Sequence, residues 1–276
     1  MVQSLLEKTL NKSFELLRER VSDNDLLIDN IIIGTSFYRL TNYSTTLGDM
    51  SFYLAIIGQG DSGFAYFNPE ANTHPPSETL NYVNKNVLDI LSQDLPHPLR
   101  VALSDAVIGV YNRSEGLQPN NTFKAEGSYA YKAAVRANLL TEDIQPGENV
   151  LLVGAVSEIA KEVLTKKGNL KITDLSKEKA KSHLYGVPIE LTNGNTLKRM
   201  DEADTAIITG ATFSSKTVDG IIDMGIKFNT KMIFYLETAN NLGPHLIDVG
   251  VSKVVAEKFP FYDMPGTTFM EVYKHD

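Results

Sequence analysis

The sequence predicts an α/β protein: a mostly parallel sheet fills its C-terminal half, and a smaller α+β domain precedes it. Three observations carry this. The chain has 276 residues, more than a single hydrophobic core usually organises. From residue 148 onward, continuous apolar runs alternate with helical patterns, the grammar of a parallel sheet covered on both faces. Before residue 116, one helical pattern, two adjacent strand-like segments and two further helical patterns are segregated rather than alternating, as in an α+β module. The predicted division is 1–116 and 124–276.

In chain order, residues 3–20 place Leu5, Leu6, Leu10, Phe14, Leu16 and Leu17 at helical spacing, with charges on the opposite face. LLIDNIIIGTSFYRLTN and SFYLAIIGQG are rich in Ile, Tyr and Phe and read as strands joined near YSTTLGD by a Gly-Asp turn. Tyr38, Tyr43 and Tyr53 are expected to pack inside this domain. FNPEANTHPPSET is a loop by composition. Residues 78–93 and 97–112 read as helices, and PLRVALSDAVIGVYNR is apolar or small on most faces, so it should be buried. SEGLQPNNTF, 114–123, is the candidate linker, and AEGSYAYKAAVRANLL is a helix leading into the second domain. There, ENVLLVGAV, LKITDL, PIEL, TAIITG, KMIFYLE and SKVVAEK read as strands. SEIAKEVLTKKG, SSKTVDGIIDMGIK and PHLIDVGV read as helices, and TLKRMDEA follows a connecting turn.

Composition narrows the function classes. Apolar residues make up 42%, charged residues 22%, and the formal net charge is -8. An acidic surface with no basic stripe repels phosphate backbones, so nucleic acid is not an expected partner. No apolar run approaches the roughly 18–20 residues a membrane-spanning helix needs, and acidic residues interrupt the apolar N-terminal positions, unlike a signal peptide. There are no cysteines, which excludes disulfides, thiolate metal sites and cysteine nucleophiles. A cytoplasmic protein with a small-molecule ligand is expected; a homodimer is compatible with this composition and is left open.

In an open parallel sheet, ligands bind beyond the carboxyl ends of the strands, and three such ends draw attention. VLLVGAVSEIA has Gly154 at the strand end, with Ser157 able to cap the next helix. Val156 and Ile159 occupy the second and third positions of a G-x-G-x-x-G fingerprint, so conventional dinucleotide binding is disfavoured. Asp174 ends the next strand twenty positions after Gly154, where a carboxylate accepts hydrogen bonds from ribose hydroxyls. This suits adenosine-type ligands such as S-adenosylmethionine; a carboxylate capping a helix from Ser176 is the structural alternative.

The second end, IITGATFSSKTVDG, crowds Thr209, Gly210, Thr212, Ser214 and Ser215 at a helix start, with Asp219 in its first turn. Ser214 or Ser215 can cap that helix, and its free N–H groups favour an anion. Turn and cap bonds alone would also use such hydroxyls. The third, FYLETANNLGPH, ends on Glu237, which could act as a base, bind a cationic amine or ligate a metal, or else cap the helix near Pro244. His245 and Asp248 could reach one ion but read better as a surface pair. No spacing implies a dedicated zinc site, a nucleophile elbow or a P-loop.

DEADTAIITGATFSSKTVDGII, followed after a strand by GPHLIDVGVSKV, resembles the C-terminal domain of the putative heavy-metal-chelation family, a domain of unknown function. IDNIIIGTSFYRL, TTLGD and PLRVALSDAVIGVYN are similar to its N-terminal half. The resemblance implies a Rossmann-like C-terminal domain, an N-terminal domain like the N-terminal module of enolase, and a ligand site between them. The family's T-G-T-T-like segment falls on Thr209, Gly210, Ala211 and Thr212. Its Asn-Gly-Thr appears as Ser215, Lys216 and Thr217, and its Gly-Pro-Ser as Glu237, Thr238 and Ala239. The resemblance thus implies a small-molecule binder handling a divalent metal or a metal-binding metabolite. Gly154 and Asp174 would face an adenosine-like part, Thr209, Gly210, Thr212 and Ser214 an anionic group, and Glu237 a cation or a proton. An S-adenosylmethionine-dependent alkyl transferase is the alternative, and a non-catalytic assembly partner a third; whether the chain is an enzyme, and which metal it takes, stay open.

Overall fold

A computed structural model describes residues 4–36, 50–58, 60–67, 80–261 and 265–275. Contacts divide the chain into two units. The first is Met1–Gln118 together with Phe213–Lys216 and Glu237–His245; the second is Pro119–Thr212, Thr217–Leu236 and Leu246–Asp276. The two later segments are what a linear reading of the chain cannot assign.

The first unit opens with α1 (Leu5–Arg20), where Ser4 accepts a hydrogen bond from the Glu7 N–H and Leu6, Leu10 and Leu17 are buried. Strands β1 (Ile28–Ser36), β2 (Met50–Ile57) and β3 (Asp61–Phe67) form an antiparallel sheet in that order. The third strand goes beyond the two expected: DSGFAYF carries a mid-strand glycine, which reads as a break. Gly63 is there because β3 lies directly on a helix; a Cβ would fall onto the backbone of Ala102 and Ala106. Tyr53 is buried and stacks on Phe67 at 4.7 Å. Tyr38, Tyr43, the YSTTLGD turn and most of the 67–79 loop lie outside the described residues.

The helix expected over 78–93 is instead a single 3-10 turn at Leu80–Tyr82 and the short α2 (Val87–Leu91), whose Leu88 N–H donates to the Asn86 side chain at 2.9 Å. Then α3 (His97–Ser114) is buried almost all round, including the polar Ser104, Asp105 and Asn112. It packs on α1 and on β2 and β3, which is why it lacks a polar face.

The second unit is a nine-stranded sheet. The elements along this part of the chain are β4 (Asn121–Ala125), α4 (Tyr129–Thr141), β5 (Asn149–Val153), α5 (Ser157–Thr165), β6 (Asn169–Asp174), β7 (His183–Leu184), β8 (Val187–Leu191), α6 (Thr192–Glu202), β9 (Thr205–Thr209), α7 (Ala211–Ser214), α8 (Val218–Phe228), β10 (Lys231–Leu236), α9 (Gly243–Asp248), β11 (Lys253–Glu257) and β12 (Thr268–Lys274), with the end of α7 and the start of α9 counted in the first unit. The spatial order is β4-β12-β11-β10-β9-β5-β6-β8-β7. The six strands from β11 to β8 are parallel; at the edges the pairing is antiparallel, β12 with β11, β4 with β12 and β7 with β8. The apolar runs match their burial: Leu151, Leu152, Ile207, Ile208, Ile233 and Phe234 are fully enclosed. Helices α4 and α5 pack together over the face carrying Val150, Leu152, Ile172, Ile207, Ile233 and Val255, and α6 packs with α8.

The predicted linker is shorter than expected, because its last residues belong to β4, paired with β12 through Met270↔Phe123. Among the described residues no helix is long and apolar enough to cross a membrane.

Candidate functional site

Counting the parallel strands from β5, their order is 3-2-1-4-5-6, so the chain leaves β5 in one direction through β6 and β8 and in the other through β9, β10 and β11. Connections on the two sides diverge at β5/β9, the kind of place beyond the carboxyl ends at which such sheets receive ligands. Gly154 and Thr209 stand at the ends of these two strands. Gly154 has φ +96, and a Cβ there would collide with the Thr209 hydroxyl and methyl. The glycine is therefore structural, since it lets the Thr209 side chain close on the turn. Gly154→Ala is expected to destabilise the protein by about 2–4 kcal/mol, from backbone strain plus overpacking, measured by urea denaturation; a change below about 1 kcal/mol would show that the turn relaxes freely.

Asp174 lies beside this turn. Its Oδ2 accepts from the Ala155 N–H at 2.8 Å and from the Lys179 ammonium at 3.3 Å, and its Oδ1 accepts from the Ser176 N–H at 2.9 Å. The carboxylate thus ties the β5–α5 turn to the turn after β6. The next helix offers a different resource. Its N-cap is Val156, with no capping side chain, and Ser157 shares a 3.1 Å hydrogen bond with the Tyr185 hydroxyl instead. The first N–H groups of α5 are consequently left by the side chains, an arrangement that favours an anion.

After β9 the hydroxyl-rich segment folds differently from the expectation. Rather than capping one long helix, residues 211–214 make the short α7, and α8 starts later with Thr217 as N-cap and no side-chain cap bond. Thr212 Oγ1 donates to the Thr209 carbonyl at 2.9 Å. The Gly210 N–H donates to the Tyr235 carbonyl at 2.8 Å. Two further bonds close α7: Lys216 N–H to Phe213 carbonyl at 3.2 Å, and Thr217 N–H to Thr212 carbonyl at 3.0 Å. This is the Schellman pattern, which puts Lys216 in the left-handed region at φ +60. Neither Ser214 nor Ser215 is the cap. Ser214 Oγ is buried without a hydrogen-bond partner among the described residues.

Ser214, Ser215 and Lys216 line, with Asp94, Leu95, Pro96 and His97, a cavity of ≈ 440 Å³ in the first unit. His97 Nε2 lies 2.9 Å from the Phe213 carbonyl. A carbonyl only accepts, so Nε2 carries hydrogen and Nδ1 holds the lone pair when the ring is neutral. Burial holds this imidazole below the usual histidine range; the Phe213 carbonyl works against that shift, and Lys216 and Arg100 reinforce it. In the sequence His97 is one of five scattered histidines, and no motif marks it. Its one signal is position: the first residue of a long helix whose N-cap, Pro96, has no capping side chain.

The segment after β10 is held inside the first unit. Asp105, wholly buried on α3, accepts from the Phe64 N–H at 3.0 Å through Oδ2 and from the Asn241 N–H at 2.8 Å through Oδ1. The Asn241 amide donates to the carbonyls of Ser62 and Asp105, both at 2.9 Å. Asn112 donates to the Asn241 carbonyl at 2.6 Å, and His245 donates to Asn112 Oδ1 at 2.8 Å. Thr238 Oγ1 accepts from the Tyr66 N–H at 3.0 Å. His245 is therefore a buried anchor and not half of a surface pair with Asp248. Glu237 starts this segment and is 9% exposed; its carbonyl accepts from the Asn240 amide at 3.2 Å.

Of the residues singled out from the sequence, Gly154, Asp174, Thr209, Gly210 and Thr212 fall in the second unit, with Gly154, Thr209 and Asp174 around one turn. Ser214 and Glu237 fall in the first. Among the described residues no three His, Asp, Glu or Cys side chains gather as a metal ion would require.

Comparison with known proteins gives a family-model match over part of the chain and a fold. Residues 138–233 match the model of DUF364, described as putative heavy-metal chelation. A DUF364 protein of unknown function from Desulfitobacterium hafniense DCB-2 is 13% identical, with a TM-score of 0.59 over 96% of this chain and 98% of that one. Another, from Pyrococcus horikoshii, is 14% identical, with a TM-score of 0.60 over 99% of this chain and 100% of that one. No curated protein matches the chain. At those identities the likeness speaks for the fold: two units, one with a small antiparallel sheet and one with a large, mostly parallel sheet. Over residues 138–233 the chain is thus similar to DUF364, described as putative heavy-metal chelation, and as a whole it shares its fold with two solved DUF364 proteins.

Proposed function

We propose that this chain is a cytosolic protein that binds a small anionic metabolite at the β5/β9 switch point, and that any metal it handles arrives as a complex with that metabolite. The observation that carries this reading is the reversal of strand order between β5 and β9, the position at which such sheets receive ligands, beside the uncapped start of α5. The Thr209 hydroxyl and the N–H groups at the start of α5 lie beside that position, donors suited to an oxyanion, while Gly210 shapes the turn after β9.

The family's description points to heavy metals, but the donor set does not fit a bare ion. Threonine hydroxyls and glycines are weak ligands for soft metals, and no three strong donors gather among the described residues. A metabolite that already chelates its metal asks less of the protein: recognition of its carboxylates is enough. The rival reading, alkyl transfer from S-adenosylmethionine, needs Asp174 for the ribose. That carboxylate is engaged by Ala155, Ser176 and Lys179, so this reading ranks second.

Thermal shift and calorimetry with citrate, zinc, zinc plus citrate, NAD and S-adenosylmethionine test the order. A ligand at 100 times its Kd adds about 2.7 kcal/mol. Stabilisation by citrate or zinc–citrate, lost in Thr209→Val, is the expected result. Saturable stabilisation by zinc alone would overturn it, as would a response to S-adenosylmethionine abolished in Asp174→Asn.

A further inference from the structure

The cavity at the start of α3 is independent of the switch point: every residue lining it lies in the first unit. Its lining is unusual in three respects. Ser214 Oγ is shut off from solvent yet has no hydrogen-bond partner among the described residues, which is costly unless something completes it. Lys216 is exposed and pairs with no carboxylate among the described residues. It nevertheless occupies a left-handed backbone position, φ +60, where glycine would sit without strain. His97 turns its Nε2–H to the Phe213 carbonyl, which leaves Nδ1 as the nitrogen able to meet a ligand.

We infer that this cavity binds a small oxyanion, the carboxylate or phosphate end of a metabolite, through the Lys216 ammonium and a protonated His97, with the Ser214 hydroxyl turning out of its enclosed position to complete the set. Strain at Lys216 is then retained for its charge, since glycine would give the better turn. The protein binds the anion together with a proton, because the imidazolium donates from Nε2 to Phe213 and from Nδ1 to the ligand. The charged groups around this ring are Lys216 and Arg100, which oppose its protonation, and Glu7 on α1, which favours it. Arg100 is otherwise occupied, donating to the carbonyls of Leu91 and Gln93. Asp94 on the rim is exposed and favours a singly charged ligand over a dianion.

Calorimetry on the full chain with acetate and with sulfate, whose charges are fixed between about pH 6 and 8, provides the test; whichever binds more tightly names the class. Affinity should rise several-fold from pH 8 to pH 6, with proton uptake visible as a buffer-dependent heat, and His97→Gln should flatten the profile. Lys216→Gly should raise Tm by about 2–4 °C while weakening binding about tenfold or more. Ser214→Ala should weaken binding without lowering Tm. Equal affinity in the wild type and Lys216→Gly would overturn the assignment, as would no saturation by either anion below ~10 mM.

Discussion

Asp105→Ala is expected to destabilise the protein by about 3–5 kcal/mol. The side chain is wholly buried and accepts the N–H groups of Phe64 and Asn241. Truncation leaves two backbone donors without that acceptor where water cannot readily replace it, each costing about 1–3 kcal/mol. It also loosens the 237–245 segment, since the Asn241 backbone loses its acceptor while its side-chain bonds to the Ser62 and Asp105 carbonyls and its bond from Asn112 stay in place. The neighbouring Ser104 supplies the control. It is equally buried, but its hydroxyl has no partner among the described residues, so Ser104→Ala should lie within about 0.5 kcal/mol of wild type or be slightly stabilising. Urea denaturation of both variants checks the pair. If Asp105→Ala costs no more than Ser104→Ala, the carboxylate does not organise the unit.

That contrast shows where the sequence is readable. PLRVALSDAVIGVYN announces a buried helix through its lack of a polar face, yet Asp105 and Ser104 look alike within it. What separates them is a loop far downstream. The Thr and Asn residues of ETANNLGPH follow a strand end, a place where a ligand is expected; their hydrogen bonds instead serve the first unit through Asp105, Asn112 and Tyr66. The core strands are legible for a local reason. ENVLLVGAV, TAIITG and KMIFYLE are buried on both faces, so each is apolar along its whole length. The edges are not. β4 is exposed at four of its five residues, and it is a strand because β12 pairs with it, Thr268 opposite Ala125. Non-local pairing leaves little trace in a short window.

The hydroxyl-rich turn is half legible. The density of Thr and Ser marks 209–217 as special, and the structure uses these residues in distinct ways. Thr212 braces its own turn, Thr209 closes on Gly154, and Ser214 lines a cavity with His97 and Lys216. The cap expectation fails because α7 takes residues 211–214 and ends on Lys216 in the left-handed region. Nothing in the one-letter sequence announces a lysine at a glycine-type position.

Arg136→Met should cost about 3–5 kcal/mol, for a reason that no single motif reveals. Arg136 on α4 is 1% exposed. Its Nη1 donates to the Tyr235 hydroxyl at 2.9 Å, its guanidinium lies 4.8 Å from the Tyr235 ring centre, and Nη2 is 3.6 Å from Glu158. Tyr235 passes the interaction on, donating to Glu257 Oε2 at 3.0 Å, while Thr268 donates to Oε1 at 2.6 Å. Glu257 is fully buried at the end of β11, so its charge is offset by Arg136 across one tyrosine. Methionine keeps the bulk of the stem but takes away the cation across the tyrosine from that carboxylate, and removing one member of a buried pair is far costlier than replacing both. The double variant Arg136→Met/Glu257→Leu should therefore recover much of the loss, giving a coupling of about 1–3 kcal/mol in a double-mutant cycle. Tyr235→Phe should fall between, at about 1–3 kcal/mol, since it cuts the relay and leaves both charges in place. Additive single and double variants in urea denaturation would mean that Arg136 and Glu257 act separately, and that α4 is joined to β10 and β11 by packing alone.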